Sequence, residues 1–353
     1  MSRLAGLNVR AVCDLDEPRC QQVAAELEAV AVPHYTALLE SDVDAVILAN
    51  AFDEHAPLAI AALEAGKHVL SETSACNSPA EAVALLDAVE RSGRVYLLAE
   101  NYVHKPHVRT IGGLLGKGTL GEVEYVECEY LHAMSPSDRD GFRGDPDAWR
   151  RRITPTAYCT HTIAPIMQIT GARPTAVSAF LVPASGDAGT TAALLMVRMD
   201  DGSITKALHG FLQGEPRSGW SRLRVHGSRG LAENACGGDD WAVRLLQEAW
   251  TSPDKVRSET MVPPDRTGIP DGVPIADEDD YLVCAELLRS IRGEAPPFFG
   301  AEDAVTASLV GMYAAVSVEA GSVPIDVPDI RDRAVRADLV GRDVPSLTVP
   351  VPA

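Results

Sequence analysis

Tyr158-Cys159-Thr160-His161, with Pro165 just beyond, sets a phenol and an imidazole one helical turn apart. Side chains at that spacing on a helix face the same way, so both groups can address one point in space. An imidazole, with an ordinary pKa near about 6.5, can take a proton at neutral pH. A phenol starts near about 10; it acts as a base only with help from His161 or a nearby cation, and otherwise donates a hydrogen bond. That is equipment for removing a hydroxyl proton. Earlier in the chain Asp14, Asn50, Glu72 and Glu100-Asn101-Tyr102 each close a short apolar run.

The elements that must position these groups are legible in the first hundred residues. Runs 8–13, 44–50, 68–71 and 95–99 read as strands, and 17–30, 54–65 and 79–92 as helices. Gly66 and Gly93 follow two of the helices, where a left-handed C-cap belongs. The unbroken apolar stretch within 44–50 predicts a strand buried on both faces. The alternation predicts a parallel sheet flanked by helices, with ligands beyond the carboxyl ends of its strands. All four polar groups sit at those ends. An acid at the end of the second strand is where dinucleotide-binding folds hold the adenosine ribose, and Asp14 fits that role, with Asp16 as the substitute.

A dinucleotide fold opens with a strand and a G-x-G-x-x-G turn, which this sequence does not contain. Its first strand-like run already ends in the acid that should close the second. The expectation is a domain lacking its central first strand, and Met1 is read as an internal methionine of a longer natural chain.

Beyond Tyr102 the spacing predicts helices over 105–115, 161–170, 281–292 and 302–320. Strands are predicted over 122–132, 175–182, 192–199, 203–211 and 222–225, with a hairpin turn at Asp200-Asp201-Gly202. This reads as an α+β domain, an antiparallel sheet backed by helices. The expected division is 1–104 for the nucleotide domain, 105–330 for substrate binding and oligomerisation, and 331–353 for a Pro- and Val-rich tail strapped to a neighbouring surface. A net charge of −19 argues against a nucleic-acid partner. No apolar run is long enough to cross a bilayer, and no charged-then-apolar leader is read. The seven cysteines lack a C-x-x-C pair or zinc spacing, which points to a reducing cytoplasm and no structural metal. His104 and His107, one turn apart, have no carboxylate at ligand spacing and are not read as a metal site. Arg150-Arg151-Arg152 reads as a solvated charge run, with holding an anionic substrate group as the alternative, and His55 as a helix-capping or cofactor-touching residue.

The order of motifs resembles the Gfo/Idh/MocA oxidoreductases. The matching stretches are Ala11-Val12-Cys13-Asp14-Leu15-Asp16, residues 44–50 with His55-Ala56-Pro57, Glu64-Ala65-Gly66-Lys67-His68-Val69 and Gly118-Thr119-Leu120-Gly121-Glu122. Glu319-Ala320-Gly321-Ser322 and Val327-Pro328 also fit. The resemblance implies a Rossmann-type parallel sheet followed by a large, mostly antiparallel sheet, a homodimer or homotetramer, and hydride transfer between NAD or NADP and a sugar, cyclitol or glycoside. Two departures matter. Glu72-Thr73-Ser74 stands where the family has Glu-Lys-Pro, and Ala157 stands where an acid precedes the histidine.

A branch that also lacks the lysine, the NAD-dependent glycosidases of glycoside hydrolase family 109, resembles the chain better. Its motifs match Glu72, Glu100-Asn101-Tyr102 and Tyr158-Cys159-Thr160-His161 with Ala164-Pro165, while residues 276–281 depart from its His-Gly-Gly stretch. That resemblance implies His161, Tyr158, Glu72 and Tyr102 as catalytic groups beside the nicotinamide. Asp14, Asn50, Ala51, His55, Glu72 and Asn101 are the expected cofactor contacts. It leaves open three activities: net sugar oxidation, a redox-neutral glycosidase or lyase cycle, and a non-catalytic sugar-binding role.

Overall fold

The computed structural model describes residues 5–144, 148–183, 190–212, 214, 221–234, 241–251 and 254–348. The N-terminal part alternates β1 (Ala11–Val12), α1 (Glu17–Leu27), β2 (Val30–Ala31), α2 (Tyr35–Glu40), β3 (Ala45–Leu48), α3 (His55–Glu64), β4 (His68–Ser71), α4 (Pro79–Ser92) and β5 (Tyr96–Leu98). Asp16 caps α1 by accepting from the Arg19 N–H, and Glu28, at φ +57°, stops it. The helix expected over 17–30 therefore ends early, releasing residues 30 and 31 as β2. Ser78 caps α4 in the same manner, and Gly93 closes it at φ +61°.

Among the described residues the strands of this part pair with one another in parallel, but they fall into two sheets, β1–β2 and β3–β4–β5. The division lies where the central strand of a dinucleotide fold would pair. β3 is not buried on both faces as its sequence suggests: Ile47 is 51% exposed.

The C-terminal part is built on β6 (Val123–Ala133), β7 (Pro174–Pro183), β8 (Thr190–Met199), β9 (Ile204–Leu212), β10 (Ser221–Gly227), β11 (Gly230–Asn234), β12 (Val243–Gln247), β13 (Ser258–Val262) and β14 (Ile325–Asp326). They form one nine-stranded sheet in the order β13-β12-β11-β10-β6-β9-β8-β7-β14, antiparallel throughout except for the parallel β6–β9 pair. Gly202, at φ +88°, turns the β8–β9 hairpin.

The helices of this part are α5 (Pro106–Gly116), α6 (Pro136–Arg143), α7 (Thr160–Thr170), α8 (Glu278–Ile291), α9 (Ala301–Glu319) and α10 (Arg333–Leu339). Among the described residues none is long and apolar enough to cross a membrane. Val46, Leu63, Leu85, Ile163, Leu195 and Leu309 belong to one continuous hydrophobic cluster, so the parallel sheet, α7, α9 and the large sheet share a core. The tail is strapped to the chain's own surface. Leu347 donates its N–H to the Asn77 carbonyl and accepts from the Thr154 N–H, while the Asn77 amide bonds Thr348 at both ends, each at 2.9 Å.

Candidate active site

Three segments bring the chemistry together. β4 and β5 run out into Glu72 and Glu100, and a short 3-10 turn, Asn101–His104, begins directly after Glu100. The third segment is the 3-10 turn Ala157–Cys159, which leads into α7. Tyr158 sits in that turn, with its backbone off the helical track, and His161 lies in the first turn of α7. The helix begins one residue before the predicted 161–170, ends with it at Thr170, and carries Pro165 inside. Gly311 on α9 fixes the turn from behind. A Cβ there would stand 2.8 Å from the Thr156 carbonyl oxygen and 3.0 Å from Cys159 Sγ, so only glycine lets α9 pack this closely.

Tyr158 and His161 do meet, with ring centroids 5.8 Å apart. The stronger contact is one the sequence reading did not assign. His161 Nδ1 lies 2.8 Å and 3.0 Å from the two carboxylate oxygens of Glu100, which is 1% exposed. Glu100 thus supplies from the end of β5 the acid that Ala157 cannot supply locally. An ionised carboxylate only accepts, so Nδ1 carries the proton and Nε2 is left as the acceptor.

Aromatic rings wall the pair. Tyr130 and Tyr102 stand 4.4 Å and 4.9 Å from the His161 ring, and Tyr130 meets Tyr158 at 6.0 Å. The Tyr130 hydroxyl is 2.8 Å from His132 Nε2. Tyr130 and His132 went unassigned in the sequence reading, although two residues apart on β6 they share a face by strand geometry.

Burial sets the proton affinities. It pushes the phenols of Tyr158, Tyr130 and Tyr102 up, so all three remain protonated donors near neutrality; Arg150 partly offsets the rise at Tyr158. Burial lowers His132 to about 4, with His161 adding to the effect. Burial also raises the Glu72 carboxyl, with Glu100 adding to the rise and His161 opposing it. The Glu72 carboxyl therefore holds a proton more readily than an exposed one. Thr73 Oγ1 meets Thr160 Oγ1 at 2.6 Å, joining the loop after β4 to the start of α7.

The other predicted residues follow the ends of β1, β3 and β5, strands that belong to two separate sheets. Asp14, just beyond β1, accepts from Arg19 Nε at 2.9 Å and Nη2 at 2.7 Å, and these bonds hold its carboxyl below the usual range. At the end of β3, Asn50 Nδ2 donates to Glu54 while Asn50 Oδ1 is buried with no protein partner. Ala51 follows in the same loop. His55 does not cap α3. Its Nδ1 faces the Ser74 carbonyl at 3.1 Å, its Nε2 is buried and unpartnered, and burial depresses its pKa. Asn101 turns its amide to Asp279 at 2.8 Å, which also pairs with Lys105 at 2.6 Å.

The arginine run is not simply solvated. Arg152 pairs with Asp53 at 2.7 Å, Arg151 donates to the Gly144 carbonyl, and Arg150 lies over the rings of Trp149 and Phe142. His104 and His107 are buried, each driven to about 3 by loss of solvent.

Residues 1–100 match the family described as "Oxidoreductase family, NAD-binding Rossmann fold", and residues 108–233 match the "GFO/IDH/MocA C-terminal domain". An α-N-acetylgalactosaminidase of Bacteroides fragilis is 25% identical over 186 residues, covering 47% of this chain and 43% of the relative. The chain thus spans less than half the length of that relative. A glycosyl hydrolase family 109 protein of Saccharopolyspora erythraea is 23% identical over 92% of this chain and 78% of its own. Levoglucosan dehydrogenase, solved with NADH and levoglucosan, shares the fold with a TM-score of 0.74 at 19% identity, covering 90% of each chain. With both halves matched in order and the fold in agreement, the chain belongs to the Gfo/Idh/MocA family of oxidoreductases.

Proposed function

We propose that this protein is an NAD(P)-dependent oxidoreductase acting on a sugar, cyclitol or glycoside by hydride transfer. The observation that carries the reading is the buried Glu100–His161 pair, set among three protonated phenols at the carboxyl end of a parallel sheet. The residues at hand fit the cofactor. Asn50 Oδ1 and His55 Nε2 are buried polar atoms without protein partners, and a nicotinamide ribose and carboxamide offer the complementary groups. Asp14 would take the adenosine ribose hydroxyls, with Ala51, Glu72 and Asn101 completing the rim. Bound there, a nicotinamide supplies a hydride acceptor.

The chain's own work is proton handling. His161 Nε2 takes the hydroxyl proton as hydride leaves the same carbon, and Glu100 stabilises the imidazolium that results. Tyr158 and Tyr130 donate hydrogen bonds that orient the sugar, and their raised pKa values keep them in that role. Glu72, protonated more readily than an exposed carboxyl, or Tyr102 serves a second proton transfer. This second transfer would permit a redox-neutral glycosidase cycle, and the matched relatives named glycosyl hydrolases favour that alternative. The absorbance of NADH separates the two. Net reduction of NAD+ with free sugars or cyclitols supports oxidation, and aglycone release without net reduction supports the cycle. If neither occurs across a broad panel, the catalytic reading is lost. We place the protein in the cytoplasm as a homodimer or homotetramer; sedimentation that finds only monomer would remove the assembly.

A further inference from the structure

We propose that the sugar accepted at this site carries a carboxylate, received by Arg139, Arg143 and Arg150; the inference rests on the carbohydrate oxidoreductase reading above. Beside Tyr158 lies a cavity of about 40 Å³ lined by these three arginines together with Phe142, Thr191 and Phe211. Among the described residues no carboxylate lines it, and none of the three guanidinium groups forms an ion pair. Arg139 is 2% exposed, and its Nε is buried without a hydrogen-bond partner. An unpaired guanidinium is costly to bury, so a cation in this position calls for an anion.

Arg150 is held over the rings of Phe142 and Trp149, at 4.9 Å and 4.3 Å, which fixes its fork near the Tyr158 hydroxyl. Guanidinium forks match carboxylate geometry in a bidentate fashion. Size narrows the anion. A water needs roughly 10–15 Å³ by the same measure, so the cavity holds about three water-sized groups. The three heavy atoms of a carboxylate fit; a nucleoside diphosphate does not. With its carboxylate here, a pyranose reaches past Tyr158 toward His161, as a glycuronic acid or a glycuronide would.

Calorimetric titration of the full chain, equilibrated with NAD+, tests the assignment with glucuronate, galacturonate, glucose, galactose and glucose 6-phosphate. The uronates should bind at least about tenfold more tightly than their neutral counterparts, as expected for charge-assisted hydrogen bonds. Arg139→Gln and Arg143→Gln should each remove most of that preference while leaving neutral-sugar affinity in place. Arg143 is only partly buried, so its variant reports even where R139Q fails to fold. Equal affinity for neutral and acidic sugars overturns the carboxylate pocket yet leaves the oxidoreductase reading standing. Preference for the phosphate also overturns it. Absence of binding and of NADH formation with every sugar removes both.

Discussion

The two small parallel sheets hold their predicted site residues in different ways. At the ends of β4 and β5, the acid Glu100 is fully enclosed, the imidazole it holds is 8% exposed, and the rings around them leave little room to shift. Just beyond β1, a strand of two residues, Asp14 is held by Arg19 in a salt bridge whose side chains are 28% and 63% exposed. A surface pair of that kind contributes roughly 0–1 kcal/mol, whereas a buried hydrogen-bonded charge loses about 3–5 kcal/mol when its partner is removed. The chemistry end is thus organised by desolvation and tolerates little change. The Asp14 end is organised by a solvated contact, so a change there should leave the fold standing.

The contrast can be broken in order of expected effect. His161→Ala should lower kcat by about 10³-fold, within the range of a lost general base; a loss under tenfold, measured under saturating substrate, would remove His161 from the reaction. Glu100→Gln should lower kcat by about 10²-fold with KM little changed, because an amide no longer dictates which imidazole nitrogen carries the proton. If KM rises and kcat holds, Glu100 is instead a binding group. Asp14→Ala should weaken NAD+ binding by about tenfold while leaving the urea midpoint unmoved, and a large shift in that midpoint would erase the contrast between the two ends.

The smallest effect concerns acid stability near the chemistry end. His104 is stacked on Phe298 and lowered by burial to about 3, well below its unfolded value near roughly 6.5. It stays neutral in the fold, so unfolding takes up a proton below about pH 6.5, and stability falls as the pH drops toward 3. His104→Phe keeps a ring in place and should flatten that dependence by about 1.4 kcal/mol per pH unit. Equal slopes in urea titrations of the two proteins would show that His104 is already charged in the native state.

Much of the alternating part was legible because periodicity and glycine caps agree there. The helix Pro79–Ser92 and the strand His68–Ser71 stand where the pattern puts them. What failed lay where tertiary context overrules local pattern. β13 is exposed along nearly its whole length, so it carries no hydrophobic alternation to read. α6 is a polar stretch with a glycine inside, held by the Ser135 cap. Within the site, the spacing of Tyr158 and His161 was enough to bring their rings together, but the acid on His161 comes from another strand end and no local pattern reveals it. A usable signal was present all the same: Ala157 lacks the acid the family pattern carries, so a carboxylate had to arrive from elsewhere, and Glu100 was already on the rim. The buried Arg139 could not be foreseen, since only packing distinguishes it from its solvated neighbours.

Leu347 bonds at once to the loop before α4 and to the segment leading into Tyr158. These two places are far apart in sequence, and the residue that fastens them is translated after both. During synthesis this link between them can therefore close only late, once the stitch has emerged from the ribosome.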